Sequence, residues 1–307
     1  MANKAKRSNK QLFTGILLLV LVLVAALFAS GSGLLDRLYA YTGLQADSEA
    51  AAKPFSAHFI DVGQGECCLI QTEYGNLLID AGERPNAQKV VAYLRGRGVE
   101  KLDYVIATHP HSDHIGGLPE ILATFEVTAI ILPRLTEKNT PATQTYELLL
   151  RAIRDSGTKA IAAVPGGVYS LGELKLYILG PISQSSDMNN MSVTARVVYQ
   201  KTAFLFTGDA EGSVERELLA GGGVLSAAVL SAGHHGSKTS STENFLAAVR
   251  PEMAVISSGR ENSYGHPDQL ALDRLAAAGA RVLRTDVCGT IVVGSDGESL
   301  YIHYENQ

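Results

Sequence analysis

The chain is poor in several things, and each shortage narrows what it can do. It holds three cysteines in 307 residues, the neighbours Cys67 and Cys68 and the distant Cys288. Without a C-x-x-C pair there is no cysteine zinc motif, and three thiols cannot form the even framework of a disulfide-built domain. Neighbours in a strand face opposite sides, so Cys67 and Cys68 cannot serve one ordinary site. Buried free thiols are expected, with a bridge to Cys288 as the alternative. Surplus positive charge is also missing. The formal net charge is −5, and Lys4, Lys6, Arg7 and Lys10 contribute +4 within the first eleven residues, which leaves −9 on the rest. Such a body does not hold nucleic acid mainly by a basic surface, although local metal charge can still draw an anion into a cleft.

One stretch lacks charge altogether. Leu12 to Ala29 is 18 residues dominated by Leu, Val and Ala, the lower limit for a membrane-spanning helix. The basic residues before it predict a cytoplasmic N-terminus and an extracytoplasmic remainder. An uncleaved single-pass anchor is the preferred reading. Cleavage at Ala29-Ser30-Gly31-Ser32, giving a secreted protein, is the alternative. The expected plan is a cytoplasmic tip and anchor over 1–30, a linker over 31–54 and one domain over 55–307. The membrane is thus an expected partner, and no protein partner is legible.

Hydrophobic residues make up 46% of the chain and charged residues 19%, enough apolar material for a large core. After Pro54 short apolar runs alternate with glycine turns. Strands are predicted over 58–62, 67–71, 76–79, 104–108, 129–132, 174–178, 192–199, 203–207, 227–231, 253–257, 282–284 and 290–293. Helices are predicted over 87–97, 144–156, 211–219, 243–249 and 269–278, with Thr242 as an N-cap and Gly279 as a stop. With no repeat and no inner linker, these elements imply two sheets covered by helices, a four-layer αββα arrangement.

The chemistry concentrates where apolar runs end. Tyr104-Val105-Ile106-Ala107 leads into Thr108-His109-Pro110-His111-Ser112-Asp113-His114-Ile115-Gly116-Gly117. Three imidazoles and a carboxylate within six positions, followed by two glycines, supply donors for two metal ions at one spot. Leu205-Phe206-Thr207-Gly208 ends in Asp209, which suits a carboxylate bridging two metals; its alternative is an N-cap for the helix near Glu211. A later strand ends in Gly233-His234-His235-Gly236-Ser237, and the next in Asn262-Ser263-Tyr264-Gly265-His266-Pro267. Of the adjacent pair one histidine is expected to ligate and the other to donate a proton or touch substrate. Spacing leaves His235 and His266 both open as the last metal ligand. Asp80 suits an acceptor for a ligand imidazole N–H, and Asp61 either does likewise or lines the site; for both, a turn beside glycine is the alternative.

These motifs resemble the metallo-β-lactamase superfamily: H-x-H-x-D-H-x-G-G at 109–117, D-A-G at 80–82 and T-G-D at 207–209. D-V-G-Q-G at 61–65, N-N-x-S at 189–192, H-H-G-S at 234–237 and Y-G-H-P at 264–267 are similar to one branch, which includes the C-terminal domain of the competence protein ComEC. The resemblance implies an αββα sandwich with a binuclear site at the sheet edge. His109 and His111 would hold one metal, Asp113 and His114 the other, Asp209 would bridge, and His235 or His266 would complete the second. No histidine lies between 115 and 233, so the third imidazole usual at the first metal is missing, and Asn189, Asn190 and Ser192 stand in that stretch. Two divalent ions, zinc or manganese, are implied, because fewer nitrogens make a harder site.

The expected activity is metal-dependent hydrolysis of a phosphodiester, with DNA as a candidate substrate and a nuclease as one form. Asp113 would orient the attacking water and His234 would protonate the leaving group. Asn190, Ser237 and Asn262 are the expected phosphate contacts. Hydrolysis of another extracellular ester, such as a phosphocholine substituent of the cell wall, is the second reading. A non-catalytic, anchored nucleic-acid-binding module is the third.

Overall fold

A computed structural model describes residues 49–305. The expected anchor at 12–29 and most of the expected linker lie outside them. Among the described residues no helix is long and apolar enough to cross a membrane. The last part of the linker is packed: Ala50 is buried, and a Cβ on Gly294 would meet its carbonyl oxygen at 2.1 Å.

Among the described residues fifteen strands form two sheets. In chain order they are β1 Phe55–Phe59, β2 Cys68–Thr72, β3 Gly75–Ile79, β4 Lys101–Ile106, β5 Glu126–Leu132, β6 Lys159–Ala162, β7 Val168–Leu171 and β8 Leu174–Ile178. The rest are β9 Ala195–Tyr199, β10 Thr202–Phe206, β11 Val229–Ser231, β12 Met253–Ile256, β13 Arg281–Arg284, β14 Ile291–Ser295 and β15 Leu300–Tyr304. One sheet has the order β15-β14-β1-β2-β3-β4-β5-β6, and the other β13-β12-β11-β10-β9-β8-β7.

Alternation explains the layers. Along β1, Phe55, Ala57 and Phe59 enter the core between the sheets, where Phe55 meets Phe204 at 4.7 Å between ring centres and Phe59 meets Phe206 at 5.9 Å. Along β10, Phe204 and Phe206 face this core, whereas Ala203 and Leu205 face outward. The outer face of the first sheet is covered by helices Ala87–Gly96, Leu118–Thr124 and Gln144–Ser156. That of the second is covered by Gly212–Ala220, Glu243–Val249 and Gln269–Ala277. The result is a mixed α/β sandwich of two sheets with helices outside each.

The cysteines obey the same rule. Cys67 faces the outer core of the first sheet and Cys68 the core between sheets; all three thiols are free and buried, so no bridge to Cys288 forms. Thr242 stands at the N-cap of Glu243–Val249, but its side chain makes no cap. The Glu215 carboxylate accepts from the Ser241 and Thr242 amides instead.

Candidate metal centre

The parallel pairs β3·β4 and β10·β11·β12 bring their C-terminal ends to one edge, and every candidate ligand follows such an end. Asp80 directly follows β3 with φ +55. It accepts the Thr108 amide at 2.8 Å and the Thr108 hydroxyl at 2.5 Å, which ties the β3 end to the β4 end. The short helix Ser112–Ile115 then presents Asp113 and His114. Gly208, at φ +51, turns the chain after β10 so that the Asp209 amide donates to Ser192 Oγ at 3.0 Å. After β11, His234 and His235 both adopt left-handed backbone, φ +51 and +54. Such conformations cost about 1–2 kcal/mol per non-glycine residue and persist where surrounding contacts enforce them.

The side chains gather in two groups around one carboxylate. His109, His111 and Asp209 form one; Asp113, His114 and His235 form the other, each with ligand atoms within 4.8 Å. Asp209 faces both. Its Oδ2 lies 3.6 Å from His109 Nε2, and its Oδ1 lies 3.2 Å from His114 Nε2 and 3.6 Å from His235 Nε2. Asp113 Oδ2 is 3.2 Å from His235 Nε2. The cavity above them, about 350 Å³, is lined by His111, Asp113, Asn189, Asp209, His234 and His266 among others.

The donor chemistry calls for cations. His235 Nδ1 donates to the Ser257 carbonyl at 2.8 Å, and His114 Nδ1 to Asp80 Oδ2 at 2.7 Å. Each bond puts a proton on Nδ1, so Nε2 carries a lone pair whenever the ring is neutral, and the two Nε2 atoms face each other at 3.2 Å. Asp209 Oδ1, buried beside them, has no hydrogen-bond partner. Lone pairs and an orphan carboxylate oxygen converging in a buried place need a proton or a metal between them. The residues therefore fit the metals that their spacing implies.

Electrostatics point the same way. Burial works to lower His114, but Asp209 and Asp80 hold its pKa well above the ordinary value. Burial also opposes a charged His235, and Asp209 and Asp113 raise it nonetheless. Burial alone would raise Asp209, yet His114, His235 and His109 hold it well below the carboxylate range. Asp113 is held low mainly by the His235 hydrogen bond and the charge of His114, against its own burial. His109 is lowered, first by burial and then by the neighbouring His114.

His235, not His266, joins Asp113 and His114. His266 lies outside both groups, its ring 5.5 Å from that of His234. His234 stands at the cavity wall with Nε2 3.7 Å from Asp209 Oδ2. Asp61 Oδ1 accepts from the Gly63 amide at 2.9 Å, the turn reading, its Oδ2 lies 3.7 Å from Lys89 Nζ, and it lines a neighbouring cavity. The three expected phosphate contacts bond to protein groups in this structure. Asn190 is occupied by Glu211 and Ser213 at the start of Gly212–Ala220. Ser237 is buried in a turn with Thr239, outside the cavity lining. Both amide donors of Asn262 go to loop carbonyls, those of Gly259 and His266.

Two contributors were not anticipated. Asn189, rather than Asn190, faces the cavity, with Nδ2 3.4 Å from His234 Nε2 and Oδ1 buried without a partner. The N-N pair was the signal, but a 3-10 turn decides which amide turns inward. Glu66 sits buried beneath His114 and Asp80, accepts the Ser231 hydroxyl at 2.5 Å, and is raised to about 7 by burial and by Asp80. It follows D-V-G-Q-G directly, and nothing in its spacing marked it.

Comparison with known proteins agrees with this geometry. Residues 60–260 match the family described as Metallo-beta-lactamase superfamily. ComE operon protein 3 of Bacillus subtilis is 32% identical over 251 residues, covering 76% of this chain and 32% of its own length. Competence protein ComA of Neisseria gonorrhoeae is 32% identical over 257 residues, covering 76% of this chain and 31% of its own. The chain thus spans about a third of the length of these relatives. Among solved structures, the metallo-beta-lactamase fold protein YhfI of Bacillus subtilis aligns with TM-score 0.50 at 14% identity, covering 81% of this chain and all of YhfI.

Proposed function

The chain belongs to the metallo-beta-lactamase superfamily, and from that premise we propose that it is a two-metal phosphodiesterase acting on nucleic acid outside the cytoplasm. Metal-dependent hydrolysis is the chemistry that the family and the clustered histidines and aspartates support. The observation that carries the finer reading is Asp209, which gives one oxygen to each of two donor groups. His109 and His111 would hold one divalent ion; Asp113, His114 and His235 would hold the other, with Asp209 common to both. Manganese suits the first group at least as well as zinc, since it offers two imidazoles rather than three. Bound there, such ions lower the pKa of water and neutralise charge building on phosphoryl oxygens.

The chain's own side chains supply the remainder. Asp80 and the Ser257 carbonyl hold His114 and His235 in the tautomers that leave Nε2 free. Asp113, kept ionised, orients the attacking water. His234, partly exposed and flanked by Glu211 Oε1 at 3.7 Å, is placed to give its proton to the leaving oxygen as the P–O bond breaks. Nucleic acid as substrate draws support from a relative named as a competence protein and another named as a recombination protein. The test is turnover of bis(p-nitrophenyl) phosphate, single-stranded DNA and a choline phosphodiester by the full chain with zinc or manganese. Hydrolysis of the first two is expected. Turnover of the choline ester alone would move the substrate to cell-wall polymer, and metal binding with no turnover would leave a binding module.

A further inference from the structure

Beside the metal centre lies a second cavity of about 630 Å³, and Gln64 lines both. We propose that this second cavity is a phosphate subsite, which takes the phosphodiester next to the one being cut in a single-stranded nucleic acid. The proposal rests on the phosphodiesterase reading of the neighbouring centre.

Its walls carry two outward-reaching cations. Lys89 extends from helix Ala87–Gly96, about half exposed, with Nζ 3.7 Å from Asp61 Oδ2, too far for a hydrogen bond. Arg260 enters from the loop after β12; its Nε and Nη2 rest on the Asp286 carbonyl at 3.3 Å, and Nη1 is left for a ligand. The carboxylates facing them are Asp61 and Asp286, and Arg284 neutralises Asp286 through contacts of 2.6 and 3.0 Å. The balance across the cavity is one positive charge. Gln64 Oε1 accepts from the Gly259 amide at 3.1 Å, which leaves Nε2 buried at the junction of the two cavities without a partner. A phosphate oxygen there would satisfy it.

The same wall disfavours a choline ester, because no aromatic ring lines the second cavity to receive a quaternary ammonium. An aromatic ring does stand at the rim of the metal cavity. Tyr264 is 68% exposed, a platform on which a base can stack. A cation pair on one side of the centre and an exposed tyrosine at its mouth match a strand better than a small ester.

The test uses the full chain and a short labelled single-stranded oligonucleotide. Binding is read by fluorescence anisotropy in chelator, where no hydrolysis occurs, for wild type, the double variant Lys89→Ala/Arg260→Ala and the control Lys101→Ala. Lys101 lies at the start of β4, at the opposite end of that strand from the metal centre. The expected result is a Kd about tenfold or more higher in the double variant, with a salt slope shallower by roughly one to two; each lost phosphate contact removes about 0.7 from the slope. With metal restored, the ratio of kcat/KM on oligonucleotide to that on bis(p-nitrophenyl) phosphate falls by a similar factor. Unchanged Kd and ratio, an equal loss in Lys101→Ala, or no binding by wild type would overturn the subsite. Binding lost in the double variant while wild type cleaves neither substrate would keep the subsite and overturn the phosphodiesterase reading.

Discussion

Asp209 is shared between two imidazole groups, and its neighbours are held in place by contacts one layer further out. Asp80 is the clearest of these, because its bond to His114 Nδ1 at 2.7 Å selects the tautomer that aims Nε2 at Asp209. Asp80→Asn keeps the shape but weakens that choice. Metal affinity of the Asp113–His114–His235 group should fall ~10–100-fold, measured by competition with a chromogenic chelator, while the fold is retained. The pH dependence has a definite sign. His114 and His235 are raised above 6.5, so in the metal-free protein their contribution to stability is complete below that pH and is lost as pH rises through their folded values. Asp209 and Asp113 are lowered below 3.8, so their contribution is present above that pH and is lost on acidification. Metal must displace the imidazole protons. Calorimetry in buffers of different ionisation enthalpy should therefore show protons released on metal binding at pH 6–7, and affinity rising with pH. Binding without proton release would contradict the raised His114.

Elements deliver these residues, and the elements were unevenly legible. The strands that end in ligands are buried on both faces at their C-terminal ends, so their apolar runs stood out between glycine turns. Three strands that sequence patterning does not reveal are β6, β7 and β15, and each lies at the edge of its sheet. An edge strand lacks one neighbour: β6 is largely exposed and does not alternate, while β7 alternates only between exposed and half-buried positions and has just four residues in which to show it. Helix Leu118–Thr124 has seven residues with proline in its first turn, too short to show a helical period. The metal motif was legible because its spacing is local. The choice between Asn189 and Asn190, or His235 and His266, was not, since a 3-10 turn and two left-handed residues decide where those side chains point. Gly65 shows how tightly the elements meet at the site. It has φ +128, and a Cβ there would stand 2.2 Å from the Asp113 carbonyl oxygen. Gly65→Ala should destabilise the fold by about 1–3 kcal/mol in urea titration and reduce metal affinity by displacing Asp113. Wild-type stability and affinity in that variant would show that the approach is slack.

For the whole molecule, two sheets enclose one core, and the edge where their parallel strands end is left to chemistry. The inner core is set by rings such as Phe206, three residues before Asp209 on the same chain segment. Phe206→Ala should cost about 3–5 kcal/mol and lower metal affinity as well, because the cavity lies under the end of β10. Loss of stability with metal affinity intact would separate core from site. The family assignment rests on residues 60–260, and the chain spans only about a third of the relatives' length, so their complete activities do not transfer to this chain by similarity alone. What the chain itself contains is two clusters of histidine and aspartate that share one carboxylate, and these are what we propose hold two cations. The most direct measurement is metal content by mass spectrometry, taken together with single-stranded DNA hydrolysis, for the full chain and for Asp209→Ala. Two equivalents bound by wild type, with both metal content and cleavage lost in Asp209→Ala, is the expected result. Cleavage undiminished in Asp209→Ala, or in wild type stripped of metal, would contradict it.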